Sequence, residues 1–253
     1  MPSRSSILFD TLPPRLSATL AAYKNYLFGD RDIRELSRIV PAGGLSIDVG
    51  AHHGVYTYFL SRRSARVVAY EPNPKLARYL RRAVRSNVAV RDVALSDRSG
   101  TAYLSIPVVE GAAIPGWGAV VERAEGSHQT FEISLVRLDD EGHREVAFVK
   151  IDVEGKEEAV LRGGEQTIRR DHPILLIEIE ARHHTKPIAE IFAMIQCMGY
   201  SGYFLCDRMW TPVAAFDERA RTRPHLTDPH SRDYVANYLF WPKAWGNPPW
   251  RVS

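Results

Sequence analysis

Cysteine is almost missing from this chain: its 253 residues include two, Cys197 and Cys206, at no spacing that a zinc site or a disulfide framework requires. Free thiols in a reducing, cytoplasmic setting are therefore expected. Charge of one sign is also lacking. Lys and Arg total 33 against 30 Asp and Glu, a net charge of +3, well short of the basic excess that marks a nucleic-acid binder. No apolar run approaches the length of a bilayer span, and the opening MPSRSSILFDTLPPR has charges at Arg4, Asp10 and Arg15 and no signal-peptide core. A soluble protein with neither a nucleic-acid nor a membrane partner is the expectation. What is present is an ordinary 45% of hydrophobic residues, enough for one fully cored α/β domain with additions.

Hydrophobic periodicity arranges the chain as alternating strands and helices. Residues 17–39 read as helical with a break at Gly29-Asp30, making 1–44 an N-terminal helical cap that can cover one end of a cleft. Strands are expected at 45–49, 66–70, 88–93, 146–151, 173–179, 199–205 and 238–241, with helices through Tyr56 and Leu60, from Pro74 to Ser86, Glu157 to Ile168 and Pro187 to Met198. That alternation over 45–253 predicts an α/β, doubly wound parallel sheet with right-handed crossovers. Residues 100–136 interrupt it: period-two patterns at 101–106 and 130–135 predict a hairpin insertion. Its glycine-rich tip, 111–118, carries Trp117, which either offers an aromatic face to an acceptor or simply packs. Arg78, Arg81, Arg82 and Arg85 fall largely on one helix face and read as a solvated surface. A polar loop is expected at 217–233.

Chemistry is concentrated in LSIDVGAHHG, Leu45 to Gly54. An apolar strand runs through Asp48 into a glycine-bounded turn and then a helix, the arrangement that lets a nucleoside cofactor lie on bare backbone. The next strand ends at Glu71, where an acidic side chain can accept hydrogen bonds from both ribose hydroxyls. A dinucleotide turn needs a glycine two residues after Gly50, so that a diphosphate reaches the helix amides. Here His52 stands in that place. The turn is poor for a nicotinamide dinucleotide and suits S-adenosylmethionine, whose ammonium and carboxylate can pair with Asp48 and the turn amides. The plainer alternative is a generic α/β turn in which Asp48 caps a helix.

Taken together, these motifs resemble the FkbM-type family of S-adenosylmethionine-dependent O-methyltransferases. The likeness rests on DVGAHHGVYT at 48–57, Glu71-Pro72-Asn73, DVALSDRSG at 92–100, VKIDVEG at 149–155, VLRGG at 160–164 and Glu178, with a weaker echo at 237–242. His52-His53 depart from the family pattern. The resemblance implies a Rossmann-like class I methyltransferase fold, a seven-stranded sheet whose last strand is antiparallel. It further implies that Asp48, Gly50, His52, Gly54, Tyr56, Thr57, Glu71, Pro72 and Asn73 surround the cofactor and that Asp92, Val93 and Ala94 border the adenine. Hydroxyl acceptors, often sugars or polyketide-type products, are also implied.

Methyl transfer is an in-line displacement for which positioning supplies much of the acceleration. An alcohol acceptor still has to lose its proton to a base or be polarised by a metal. Asp152 and Glu154 follow one strand; Glu178 and Glu180 share a face of the next. Asp152 and Glu154 are the expected catalytic carboxylates, and Asp152 with Glu178 forms a candidate site for Mg2+ or another hard divalent cation. His53 and His184 are the better candidates among the histidines, with His183 beside them. The alternative is that Asp152 and Glu154 only shape a loop and cap the following helix. Asn247-Pro248-Pro249-Trp250 imitates an amino-methyltransferase motif but stands at the wrong end of the chain and reads as a proline-stiffened tail. The expected activity is O-methylation of a small or oligomeric hydroxylated acceptor, with sugars favoured. A nicotinamide-dependent oxidoreductase and a non-catalytic cofactor-binding module are the rivals. The acceptor and the oligomeric state are left open by the sequence, a homodimer being one option.

Overall fold

Strand β1 (Leu45–Val49) is buried along its whole length, its polar members Ser46 and Asp48 included, because helices cover both faces of a parallel sheet. It pairs in parallel with β2 (Arg66–Tyr70) on one side and β9 (Val146–Ile151) on the other, bringing Val49 level with Tyr70 and Ile151. Beyond β2 lies β3 (Val88–Arg91). Beyond β9 come β10 (Ile174–Glu178), parallel, then β13 (Asn237–Pro242), antiparallel, β11 (Tyr200–Cys206) and β12 (Met209–Pro212). The computed structural model from which this architecture is taken describes residues 12–109, 112–113, 118–122, 128–222 and 234–250.

The seven expected strands are present with the last antiparallel, but the sheet has eight. The additional β12 turns back from β11 through Asp207 and Arg208, both at positive φ (46° and 66°), the backbone of a two-residue hairpin turn. Without an Asn-Gly pair there, the sequence carried no sign of it. Two other boundaries differ. The third strand stops at Arg91 rather than Val93, since Ala94–Leu95 (β4) leaves the main sheet to pair with β8 (His128–Val136). The expected hairpin is real: β5 (Gly100–Val109) and β8 pair antiparallel from Gly100–Leu135 to Pro107–His128. Short strands β6 (Ala112–Ala113) and β7 (Ala119–Val121) pair with β5, completing a second sheet with its own core of Leu104, Ile106, Ile133 and Leu135. The tip bearing Trp117 lies outside the described residues. The helix expected over 157–168 is broken at Gly163-Gly164 into two, Glu157–Gly163 and Glu165–Asp171. A Cβ on Gly163 would stand 1.9 Å from the Ser96 carbonyl oxygen, so the break sits where that loop presses on the helix.

Helix α1 (Pro14–Phe28) packs on α3 (Val55–Arg63) and α4 (Pro74–Ala83), and the Tyr79 hydroxyl on α4 binds Ser17 Oγ at 2.9 Å. The short α2 (Leu36–Ile39) follows a 3-10 turn over Arg31–Glu35. Of the 217–233 loop, Glu218–Arg221 forms one helical turn; 223–233 lie outside the described residues. The C-terminal Trp250 packs on Trp241, Trp210 and Tyr203. The Asn-Pro-Pro-Trp segment is thus a docked end of the chain at the sheet's edge, away from the cleft described next.

Candidate active site

The strand order reverses at β1, and a cleft of about 500 Å³ opens there over the carboxyl ends of β1, β2, β9 and β10, where open α/β sheets bind ligands. Backbone crossing makes its floor. Gly50 has φ +80°, and a Cβ on it would lie 1.7 Å from the Asp152 carbonyl oxygen. Asp152 N donates to the Val49 carbonyl at 2.9 Å, and Gly50 N and Ala51 N both donate to the Tyr70 carbonyl. The ends of β1, β2 and β9 are thereby locked together. Only a residue without a side chain fits at Gly50.

Glu71 is 5% exposed in the cleft wall. Its Oε2 accepts from His52 N at 2.7 Å and its Oε1 from Asn73 N at 2.8 Å, which orients the carboxylate and leaves each oxygen a further lone pair. Burial pushes its pKa up to about 7, against the opposing pull of the two amides. Asn73 also accepts from Lys75 N at 3.0 Å and so caps α4. His52 lines the cleft with φ +50°, its Nε2 buried without a partner; burial lowers its pKa to about 4 and keeps the ring neutral.

At the far end stand the carboxylates of Asp30, Asp152, Glu154 and Glu178, organised around a lysine that motif reasoning passed over. Lys150 is completely buried. Its Nζ donates to Asn237 Oδ1 at 3.1 Å and to the Ile151 carbonyl at 3.2 Å, lies 3.9 Å from Glu178 Oε2 and stands 4.7 Å from the centre of the Tyr56 ring. Burial is the main cause that raises Asp152, to about 6, and also Glu178, and the Lys150 charge restrains both. A charged residue inside the otherwise apolar VAFVKI was the available signal. Asp30, at the expected helix break, reaches the cleft from the N-terminal segment; Asp97, Arg98, Val120 and Glu122 reach it from the region of the second sheet.

Ten of the expected site residues are brought together in the lining: Gly50, His52, Glu71, Pro72, Asn73, Val93, Ala94, Asp152, Glu154 and Glu178. Others are placed elsewhere. Asp48 is buried beneath the turn and accepts from the Thr57 hydroxyl. Tyr56 donates to Asp32 Oδ2 at 2.7 Å. Asp92 is half-exposed and paired with Arg81 at 2.7 Å. His53 and Gly54 line a different cavity. His184 faces Glu157 at 3.1 Å, so the two favoured histidines do not meet and neither lines the cleft. It is His183 that approaches Glu154, at 2.6 Å, and that bond raises the ring's pKa. Glu180, expected to share a face with Glu178, is held by Arg182 and by the Tyr234 hydroxyl.

The pair Asp152–Glu178 does not fit the divalent cation expected of it. The Lys150 ammonium already stands beside Glu178, where an added cation would meet a fixed positive charge, and among the described residues no three His, Cys, Asp or Glu side chains converge as metal ligands. For a diphosphate the lining is equally unsuitable, since carboxylates crowd it and the His52 ring occupies the turn. For the cofactor suggested by the sequence the lining fits at two points, a Gly50 without a side chain and an oriented carboxylate at Glu71; Asp48 and the amides of Gly50, Ala51 and His52, expected to meet its ammonium and carboxylate, are instead engaged within the protein.

Comparison with known proteins bears on this site. Residues 48–203 match the family model of the methyltransferase FkbM domain. No curated protein matches the chain. Among solved structures, the crystal structure of methyltransferase FkbM from Methylobacillus flagellatus KT is similar at 15% identity with a TM-score of 0.52, covering 94% of this chain. This chain spans 58% of that protein's length. A putative methyltransferase from Streptococcus mutans in complex with SAH, 10% identical, covers 91% of this chain and 98% of its own, with a TM-score of 0.44. The family match spans the glycine turn, Glu71, the Lys150–Gly155 block and Glu178, so the chain belongs to the FkbM methyltransferase family, with the Rossmann-like fold of class I S-adenosylmethionine-dependent methyltransferases.

Proposed function

We propose that this protein is an S-adenosylmethionine-dependent O-methyltransferase acting on a hydroxylated acceptor, with sugars and glycosides favoured. The observation that carries the reading is Asp152. It lies at the carboxyl end of β9 in the cleft, its backbone fixed by the Val49 contact, with a pKa raised to about 6 by burial and still restrained by Lys150. A carboxylate with a pKa near neutrality is largely ionised at pH 7 yet basic enough to take a proton as a bond forms, which is what general-base catalysis on an alcohol requires. Bound S-adenosylmethionine would supply a methyl group on a positively charged sulfur.

This chain's own residues supply the rest. Glu71 would accept from the ribose hydroxyls with the lone pairs its amide partners leave free, and Val93 and Ala94 would border the base. The acidic floor suits a cofactor of net positive charge. Asp152 would receive the acceptor hydroxyl's proton as oxygen gains the methyl group, and Glu178, held beside Lys150, would keep the acceptor oriented. The second sheet walls the cleft through Leu104, Val120 and Leu135, which favours an acceptor with an apolar face such as a sugar ring.

The test is Asp152→Asn assayed by release of S-adenosylhomocysteine against a panel of glycosides. Methyl transfer should fall by about two orders of magnitude or more, with cofactor affinity nearly unchanged. Near-normal turnover would remove Asp152 from the chemistry.

A further inference from the structure

A second cavity, of about 370 Å³, opens between α1, α3 and α4 and shares no lining residue with the cleft. Its character is opposite. Arg15 on α1, Arg62 on α3 and Arg85 just after α4 line it, together with Thr19, Ser61 and Ser86, and its lining contains no Asp or Glu. Elsewhere on the surface arginines hold carboxylates: Arg81 with Asp92 at 2.7 Å, Arg98 with Glu122 at 2.5 Å, Arg162 with Glu158 at 2.6 Å. Among the described residues, no carboxylate lies within ion-pairing distance of Arg15, Arg62 or Arg85. Arg62 is already ordered, its Nη1 donating to the Tyr58 carbonyl at 2.9 Å and its guanidinium 3.4 Å over the Tyr58 ring, so less entropy is lost when it engages an anion.

We propose that this cavity is a second ligand site, one that takes the phosphate group of a phosphorylated molecule and communicates with the cofactor cleft through His53 and His52. Guanidinium groups from three separate elements suit a tetrahedral dianion with several acceptor oxygens better than a single planar carboxylate. The volume lies in the range of small-ligand pockets. His53 stands in the cavity's wall, and its Nδ1 is 2.9 Å from Nδ1 of His52, which lines the cleft. Burial lowers both rings' pKa values, His53 to about 3, so both are neutral. One Nδ1 must then donate and the other accept, and the tautomer of either ring dictates that of its neighbour. A ligand that fixes the His53 tautomer therefore fixes that of His52, whose ring lines the cleft. With His53 Nδ1 accepting, the buried, unpartnered His52 Nε2 carries a lone pair, and with His53 Nδ1 donating it carries an N–H. Two sites joined this way must affect each other reciprocally.

Phosphate can reach such a site on a soluble molecule or on a lipid headgroup, and Leu16 and Leu20 are exposed on α1 next to Arg15 and Thr19. The test therefore has two arms, both on the full chain. In the first, inorganic phosphate is titrated by calorimetry into the wild type, Arg62→Gln and Arg85→Gln. Saturable binding should weaken about tenfold with each substitution, the loss expected for one charge-assisted contact; circular dichroism checks that these exposed changes leave the fold intact. In the second, sedimentation with phosphatidylcholine vesicles is compared with vesicles that also contain phosphatidic acid. Binding to the latter, abolished in Arg62→Gln, would support the site and assign the phosphate to a headgroup. No response in either arm, or binding indifferent to both substitutions, would overturn the site. Titrating S-adenosylhomocysteine with and without saturating phosphate reads the communication. Its affinity should shift several-fold in the wild type and stay constant in His53→Phe; an unchanged wild-type affinity would overturn the link while leaving the anion site standing.

Discussion

Glu71 offers the sharpest test of the proposed cofactor geometry, because its environment works against the charge that the proposed ribose contact would require. Its pKa moves from an ordinary 4.5 to about 7 in the folded chain, which disfavours the ionised form by roughly 3 kcal/mol. The sign follows from proton linkage. Between those values the folded state binds the proton more tightly than the unfolded chain, so the stability it confers is full below pH 4.5 and is lost as pH rises through 7. Wild-type stability should fall over that interval by an amount of this order, and Glu71→Gln should flatten the fall. Binding reverses the preference, since two ribose hydroxyls donating to the carboxylate favour its charged form. At pH 6, S-adenosylhomocysteine should therefore expel close to one proton from the site, and at pH 8.5 almost none. Calorimetry in two buffers of different ionisation heat measures this directly. Glu71→Gln should also weaken binding at pH 8 by about tenfold to a hundredfold, the cost of losing contacts to a charged group. Part of that loss has a local cause: the glutamine NH2 must face either His52 N–H or Asn73 N–H, donor against donor. Absence of proton release at pH 6, together with unaltered affinity in the glutamine variant, would refute the assignment.

Two further substitutions probe the cleft's construction. Gly50→Ala places a Cβ 1.7 Å from the Asp152 carbonyl oxygen at φ +80°; the ends of β1 and β9 must part, and a urea melt should show a loss of several kcal/mol or no folded protein, whereas a near wild-type midpoint would mean that the crossing is not rigid. Lys150→Met strands the carboxylates beside it and should cost about 3–5 kcal/mol. Adding Glu178→Gln should recover part of that loss in a double-mutant cycle; strict additivity would show that Lys150 and Glu178 do not interact.

Reading the chain in order already placed β1, β2 and β9 at their observed ends, together with Gly50 and Glu71. Those features are local: strand periodicity, a glycine where φ turns positive, an acidic residue ending a strand. The fold class followed because alternating strand and helix leaves few ways to wind a parallel sheet. Side chains were legible only when their task concerned their neighbours in sequence. Asp48 and Asp152 look alike as strand-end acids. Yet one is capped by Thr57 beneath the turn and the other stands in the cleft, and that difference depends on how β9 crosses β1. His53 and His184 are the histidines the sequence favours, yet His53 packs on Tyr79 of α4 and His184 faces Glu157 at the start of another helix, elements distant in sequence from one or the other. Lys150 looked like one polar letter in a strand, and it took β10, β13 and Tyr56 closing around it to make it the counter-charge of the acidic floor. Local conformational preference is written residue by residue, and the sequence by itself determined seven strands of the sheet, the glycine turn and the strand-ending acid at Glu71. Burial, electrostatic field and the company each ionisable group keeps arise only when remote segments meet, and the tertiary structure alone decided those.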